Sequence, residues 1–98
     1  NQVGGNKAEQ ALLELIEPFG FQFVGDGQLR VGRKFPDFWN GGQKLIELFG
    51  EHVHALEEVG TRTAYFNDRG YDCLIIWSKE VFSTPSQVTA KVAKFMKG

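Results

Sequence analysis

The chain has a single cysteine, three prolines and no apolar run longer than Cys73-Leu74-Ile75-Ile76-Trp77. One cysteine forms neither an internal disulfide nor a thiolate zinc cluster, a usage that fits a reducing cytoplasmic compartment and leaves stability to packing. A short apolar run falls far below the ~20 residues that cross a bilayer. No charged-then-apolar signal peptide opens the chain. Phosphate-binding loops, Gly-x-Gly-x-x-Gly, His-Glu-x-x-His and Gly-x-Ser-x-Gly are all missing. So is an excess of basic residues: 11 Lys+Arg stand against 12 Asp+Glu, for a formal charge of -1. That balance speaks against nucleic acid, whose binders usually carry a basic surplus to neutralise phosphates.

What is present suffices for one small domain over residues 1–98. Hydrophobic residues make up 42% of the chain and nine are phenylalanines, so a packed interior is expected rather than disorder. Asn6 is a good helix N-cap with Glu9 three residues on, and Ala8, Ala11, Leu12, Leu15 and Ile16 recur at helical spacing until Pro18 and Gly20. Strands are expected at Phe21–Val24, Leu29–Val31, Phe35–Trp39 and Lys44–Phe49, with turns at Gly25-Asp26-Gly27 and Asn40-Gly41-Gly42. Leu56, Val59, Thr63 and Phe66 then mark a helix ending at Gly70. Asp72–Trp77 reads as a strand buried on both faces in the middle of a mixed sheet. Thr84-Pro85-Ser86-Gln87 opens a last helix with a capping threonine, and Val88, Val92, Phe95 and Met96 form its apolar stripe. The order predicts an α/β domain: a mixed central sheet containing an antiparallel meander, flanked by helices.

Charges that interrupt apolar strands are informative, because burying one costs several kcal/mol without compensation. Asp37 follows Pro36 at a strand start, and Glu47 sits inside Leu45-Ile46-Glu47-Leu48-Phe49. A hairpin would bring both carboxylates to one end of the sheet, where a hard cation such as Mg²⁺ is the simplest compensation. Each has a plainer alternative, Glu47 as an edge-strand gatekeeper facing water and Asp37 as a turn cap. Glu9 likewise completes a capping box with Asn6. His52 and His54, at i and i+2 in Gly50-Glu51-His52-Val53-His54, suit metal binding or general-base work. Glu57 and Glu58 either orient His54 or enrich the first helical turn with negative charge.

Taken together, Gly25-Asp26-Gly27, Arg33-Lys34-Phe35-Pro36-Asp37-Phe38, Lys44-Leu45-Ile46-Glu47-Leu48-Phe49-Gly50-Glu51-x-x-His54 and Gly70-Tyr71-Asp72-Cys73-Leu74-Ile75-Ile76-Trp77 resemble the very-short-patch-repair (Vsr)-like endonucleases. Within that group the stretch from about Asn6 to Val81 is most similar to the catalytic domain of phage homing endonucleases with a Glu-Asp-x-His-Asp constellation, a branch of the PD-(D/E)XK fold. The resemblance implies a Mg²⁺-dependent endodeoxyribonuclease acting on double-stranded DNA in a bacterial or phage-infected cell. It places the metal-binding aspartate at Asp37, the N-terminal helix glutamate at Glu9 and the general-base histidine at His54. Leu48, where orthodox members carry a metal ligand, offers its backbone carbonyl. The acid that supports the histidine falls on Glu58, with Glu57 and Asp68 as alternatives. The orthodox Glu-x-Lys becomes Glu47-Leu48-Phe49, so no lysine polarises the phosphate and His54 must activate water. Val53 and Ser78 replace an aromatic and an acid common in the family, and the cysteine ligands of the repair enzymes' zinc are missing.

Arg33 and Lys34, directly before Pro36-Asp37, read either as contacts to flanking phosphates or as a solvated turn. Asn1 is not an initiator methionine, so the chain is expected to be a C-terminal fragment of a protein whose DNA-binding region lies elsewhere. Cutting both strands with one site per domain requires a homodimer. The alternatives are a mismatch-nicking repair endonuclease and a non-catalytic DNA- or protein-binding domain that keeps the nuclease fold. A bound Mg²⁺ would change the formal charge from -1 to +1, which weakens the objection to nucleic acid.

Overall fold

A computed structural model describes residues 6–50 and 56–98. The first helix, α1 (Lys7–Ile16), starts where the sequence predicts, with the Glu9 amide donating to Asn6 Oδ1 at 2.7 Å. A 3-10 turn at Glu17–Phe19 and Gly20, at φ +94°, end it. Three strands follow, β1 (Gln22–Phe23), β2 (Phe38–Trp39) and β3 (Lys44–Phe49), then α2 (Leu56–Asn67), β4 (Asp72–Trp77), α3 (Ser78–Ser83) and α4 (Pro85–Lys97). The sheet runs β1-β2-β3-β4, antiparallel through β3, with β4 parallel to β3. The expected mixed sheet flanked by helices is therefore observed. Its parallel step follows from the α2 crossover, since a parallel neighbour needs a long connection.

Side-chain alternation assigns the two faces. Ile46 and Ile76 join Leu12, Ile16, Phe38, Val81, Val88 and Val92 in the larger core, under α1, α3 and α4. Leu45 faces the other way and packs with Val31 and the α2 residue Phe66. Glu47 belongs by register to this second face and is only 1% exposed. The Phe49 and Trp77 rings, paired across β3 and β4, meet edge to face at 5.6 Å.

Several sequence expectations are corrected. Leu29–Val31 is not a sheet strand. Gly32, at φ +63°, folds Val31 back onto Lys34 in an isolated bridge, and Val31 enters the core beneath α2 instead. β4 lies at the end of the strand order, not in its middle; its apolar run is explained by helices on both faces, α2 on one and α3 and α4 on the other. Glu47 is no edge gatekeeper, because β3 lies between β2 and β4. The short helix α3 was not anticipated. Thr84 does not cap α4 with its side chain; its Oγ1 donates to the Glu80 carbonyl, at the end of α3.

Candidate active site

The site begins where the β2 ladder fails. The β2–β3 register pairs Phe38 with Ile46, so continuing it sets Asp37 opposite Glu47 and Pro36 opposite Leu48. Pro36 has no N–H to give a ladder. The Leu48 amide donates instead to Asp37 Oδ2 at 2.9 Å, and the Asp37 amide donates to Glu47 Oε2 at 2.9 Å. Two carboxylates thus do the work of missing backbone bonds, and they lie face to face.

Arg62 completes this arrangement from α2. Its Nε donates to Glu47 Oε1 at 2.5 Å, and its guanidinium lies 5.3 Å from the Phe66 ring centroid. The sequence reading missed Arg62. The signal was available, because Arg62 sits three residues after Val59 and four before Phe66, a charge on the apolar stripe of α2.

The electrostatics follow from burial. Desolvation raises the Glu47 carboxyl above its ordinary value, against the pull of the Arg62 charge and the Asp37 amide. Burial, and then the facing Glu47 charge, push Asp37 up to about 7, with Glu9 adding to the shift and the Leu48 amide and Arg62 opposing it. Burial also lifts the Cys73 thiol to about 12, which keeps the only cysteine protonated and unsuited to nucleophilic chemistry.

Asp37 lies between two cavities. One, of about 300 Å³, is lined by Asn6, Ala8, Glu9, Asp37, Leu48, Gly50 and Ser78. The other, of about 240 Å³, is lined by Asp37, Glu47, Leu48, Phe49, Glu58 and Arg62. Glu9, Asp37, Leu48 and Glu58 are therefore brought together from α1, the start of β2, β3 and the first turn of α2. Asp68 follows the opposite end of α2, about 15 Å from Glu58 at 1.5 Å per residue, and so is removed from the site. Glu57 is exposed on the first turn of α2. Glu51, His52 and His54 lie outside the described residues.

Among the described residues, no three histidine, cysteine, aspartate or glutamate side chains form a set able to hold a metal ion. The acids at hand nevertheless suit a cation that takes few protein ligands, since Mg²⁺ is commonly held by one or two carboxylates and keeps several waters. Asp37 Oδ1 receives no hydrogen bond from a described residue. It lies beside Gly25, where an added Cβ would come within 3.3 Å of Oδ1 and press on the Phe23 ring. A half-buried oxygen to which no described residue donates, with carboxylates on either side, fits positive charge at that point.

No protein-family model matches the chain, and no curated protein matches it in sequence. Among solved structures, the fold is similar to the homing endonuclease I-Bth0305I catalytic domain, with a TM-score of 0.68 and 15% sequence identity, covering 93% of this chain and 94% of that one. At that identity the likeness is one of fold. No helix among the described residues is long and apolar enough to cross a membrane.

Proposed function

We propose that this chain is a divalent-cation-dependent endonuclease that hydrolyses phosphodiester bonds of double-stranded DNA, the catalytic domain of a homing endonuclease of the Vsr-like branch of the PD-(D/E)XK fold. The observation that carries the reading is Asp37 at the β2–β3 junction, one oxygen on the Leu48 amide and the other receiving no hydrogen bond from a described residue. Its placement between the Glu9 and Glu58 cavities, within a fold shared with a homing endonuclease catalytic domain, supports the same reading.

In this scheme Asp37 and Glu9, with the Leu48 carbonyl, would hold Mg²⁺, which when bound would supply charge against the scissile phosphate and its leaving oxygen. His54 accepts a proton from the attacking water as that oxygen bonds to phosphorus and the bond from phosphorus to the leaving oxygen breaks, the departing oxygen taking its proton from solvent water, and Glu58 positions the imidazole. Arg62 fixes Glu47 and opposes its protonation, and Glu47 in turn holds the Asp37 backbone. Two copies of the chain would cut the two strands.

The test is nicking of supercoiled plasmid in Mg²⁺. The wild-type chain is expected to nick in Mg²⁺ and not in EDTA. His54→Ala should slow nicking on the order of 10²–10⁴-fold, the usual worth of general-base catalysis. Nicking by His54→Ala at the wild-type rate, or by the wild type equally in EDTA, would sink the proposal.

A further inference from the structure

Outside the carboxylate site, basic residues gather around Tyr65 of α2. The Arg33 amide donates to Tyr65 Oη at 2.7 Å. Lys34 Nζ lies 5.0 Å from the ring centroid and the Arg69 guanidinium 3.6 Å, while Arg69 Nη1 also donates to the Tyr65 carbonyl at 2.9 Å. Arg30 Nε donates to the Gly32 carbonyl at 2.8 Å. Gly32 itself is held at φ +63°, and a Cβ there would collide with Tyr65 Oη and Arg69 Nε. The turn therefore closes onto the ring only because residue 32 has no side chain.

Two cations, Lys34 and Arg69, thus lie over one aromatic ring, and Arg30 and Arg33 belong to the turn held against it. The ion pairs of the described residues engage Lys44, Arg62 and Lys91; no described carboxylate pairs with Arg30, Arg33, Lys34 or Arg69. In a chain of net charge -1 such a group is a local concentration rather than part of a general excess. It also adjoins the carboxylates. Lys34 stands three residues before Asp37 and its charge is felt at Glu47, while Arg62 and Tyr65 lie along α2 and Arg69 in the turn that follows it.

We infer that the Tyr65 cluster seats the sugar-phosphate backbone of a DNA strand beside the cleavage cavity, with Arg30, Arg33, Lys34 and Arg69 as the phosphate contacts. The inference rests on the nuclease reading above. From Arg62 to the end of α2 at Asn67 the helix advances ~7.5 Å. That distance is about two steps of one DNA strand at 3.4 Å each. Guanidiniums suit phosphate through their planar fork, and prior fixation on Tyr65 lowers the ordering cost of binding.

The test separates binding from cutting. Binding of the chain to a fluorescein-labelled duplex is measured by anisotropy in EDTA across a salt series. Arg33→Gln/Arg69→Gln should weaken binding on the order of tenfold or more, irrespective of duplex sequence, and reduce the log-log salt slope by about 1.8, at about 0.9 per phosphate contact. Arg69→Lys keeps the charge and should stay within a few-fold of wild type. Lys94→Gln/Lys97→Gln, removing equal charge from α4, should leave affinity unchanged, and all variants are checked for an unaltered thermal midpoint. Equal affinity and slope for Arg33→Gln/Arg69→Gln, an equal loss from the α4 pair, or competition by polyglutamate as strong as by duplex would overturn the inference. Patch-dependent binding without Mg²⁺-dependent nicking would instead overturn the nuclease reading and leave the DNA seat standing.

Discussion

Arg62→Ala is expected to destabilise the domain by about 3–5 kcal/mol, the usual consequence of leaving one member of a buried ion pair without its partner. Glu47 is 1% exposed and Arg62 Nε supplies the side-chain donor at its Oε1, while Oε2 is taken by the Asp37 amide. Without the guanidinium, Glu47 must protonate or draw water into the second core. Either outcome disturbs Leu45 and Phe66, which pack on that face, and removes the charge that lies over the Phe66 ring. Small domains are stable by about 5–15 kcal/mol, so a loss of this size consumes much of the total. The measurement is urea unfolding followed by circular dichroism. Glu47→Gln in the Arg62→Ala background should recover most of the loss, because the amide oxygen still accepts from the Asp37 N–H while the uncompensated charge is gone. A loss below about 1 kcal/mol for Arg62→Ala would show that the pair is solvated, as exposed pairs are.

The same pair shows what could be read in advance. β3 and β4 were legible to the residue, because each is an apolar run bounded by turn chemistry, and Glu47 stood out as a charge inside one of them. Its partner was not legible. Arg62 and Glu47 are joined across a helix and a strand, and that contact exists only once α2 is laid on the β3–β4 pair. The helical stripe was traced through Thr63, whose hydroxyl in fact turns back to the Val59 carbonyl, and this hid the arginine one position earlier. Locally encoded features fared differently. The Asn6 cap was readable from one side chain, whereas α3 lacked a start signal because its capping position is Trp77, whose amide is met by Glu80 Oε2 at 2.9 Å. Leu29–Val31 has strand composition, but Gly32 and the Tyr65 ring decide its path, and a ring more than thirty residues away leaves no local trace. For the site, Asp37 stood out as a charge at a strand start, the roles of Glu9 and Glu58 beside it came from resemblance, and the fold brings the three together, while the exchange of ladder bonds for carboxylates follows from Pro36 and the strand register.

Asp37→Asn should abolish Mg²⁺-dependent nicking, by on the order of 10³-fold or more, while making the metal-free fold more stable at neutral pH. The activity loss reflects several kcal/mol of charge stabilisation at the phosphate. The gain in stability has a definite sign. Asp37 is held up to about 7 in the folded chain against 3.8 for the ordinary side chain, so between about pH 4 and 7 the folded state binds more protons than the unfolded one. The contribution is therefore fully present below about pH 4 and is lost as pH rises through about 7. Asparagine keeps an oxygen for the Leu48 amide and carries no charge opposite Glu47, so the midpoint of the variant relative to wild type should climb as pH increases across that window. Adding Mg²⁺ at pH 8 reverses the order, raising the wild-type midpoint by giving Asp37 the positive partner that burial denies it, and leaving the variant unmoved. The check is a set of thermal melts from pH 4 to 8, with and without Mg²⁺, beside plasmid nicking. Nicking by Asp37→Asn within about tenfold of wild type would remove Asp37 from the proposed chemistry. Equal Mg²⁺ shifts in both proteins would place the cation elsewhere, since a ligand stabilises only the form whose native state it binds.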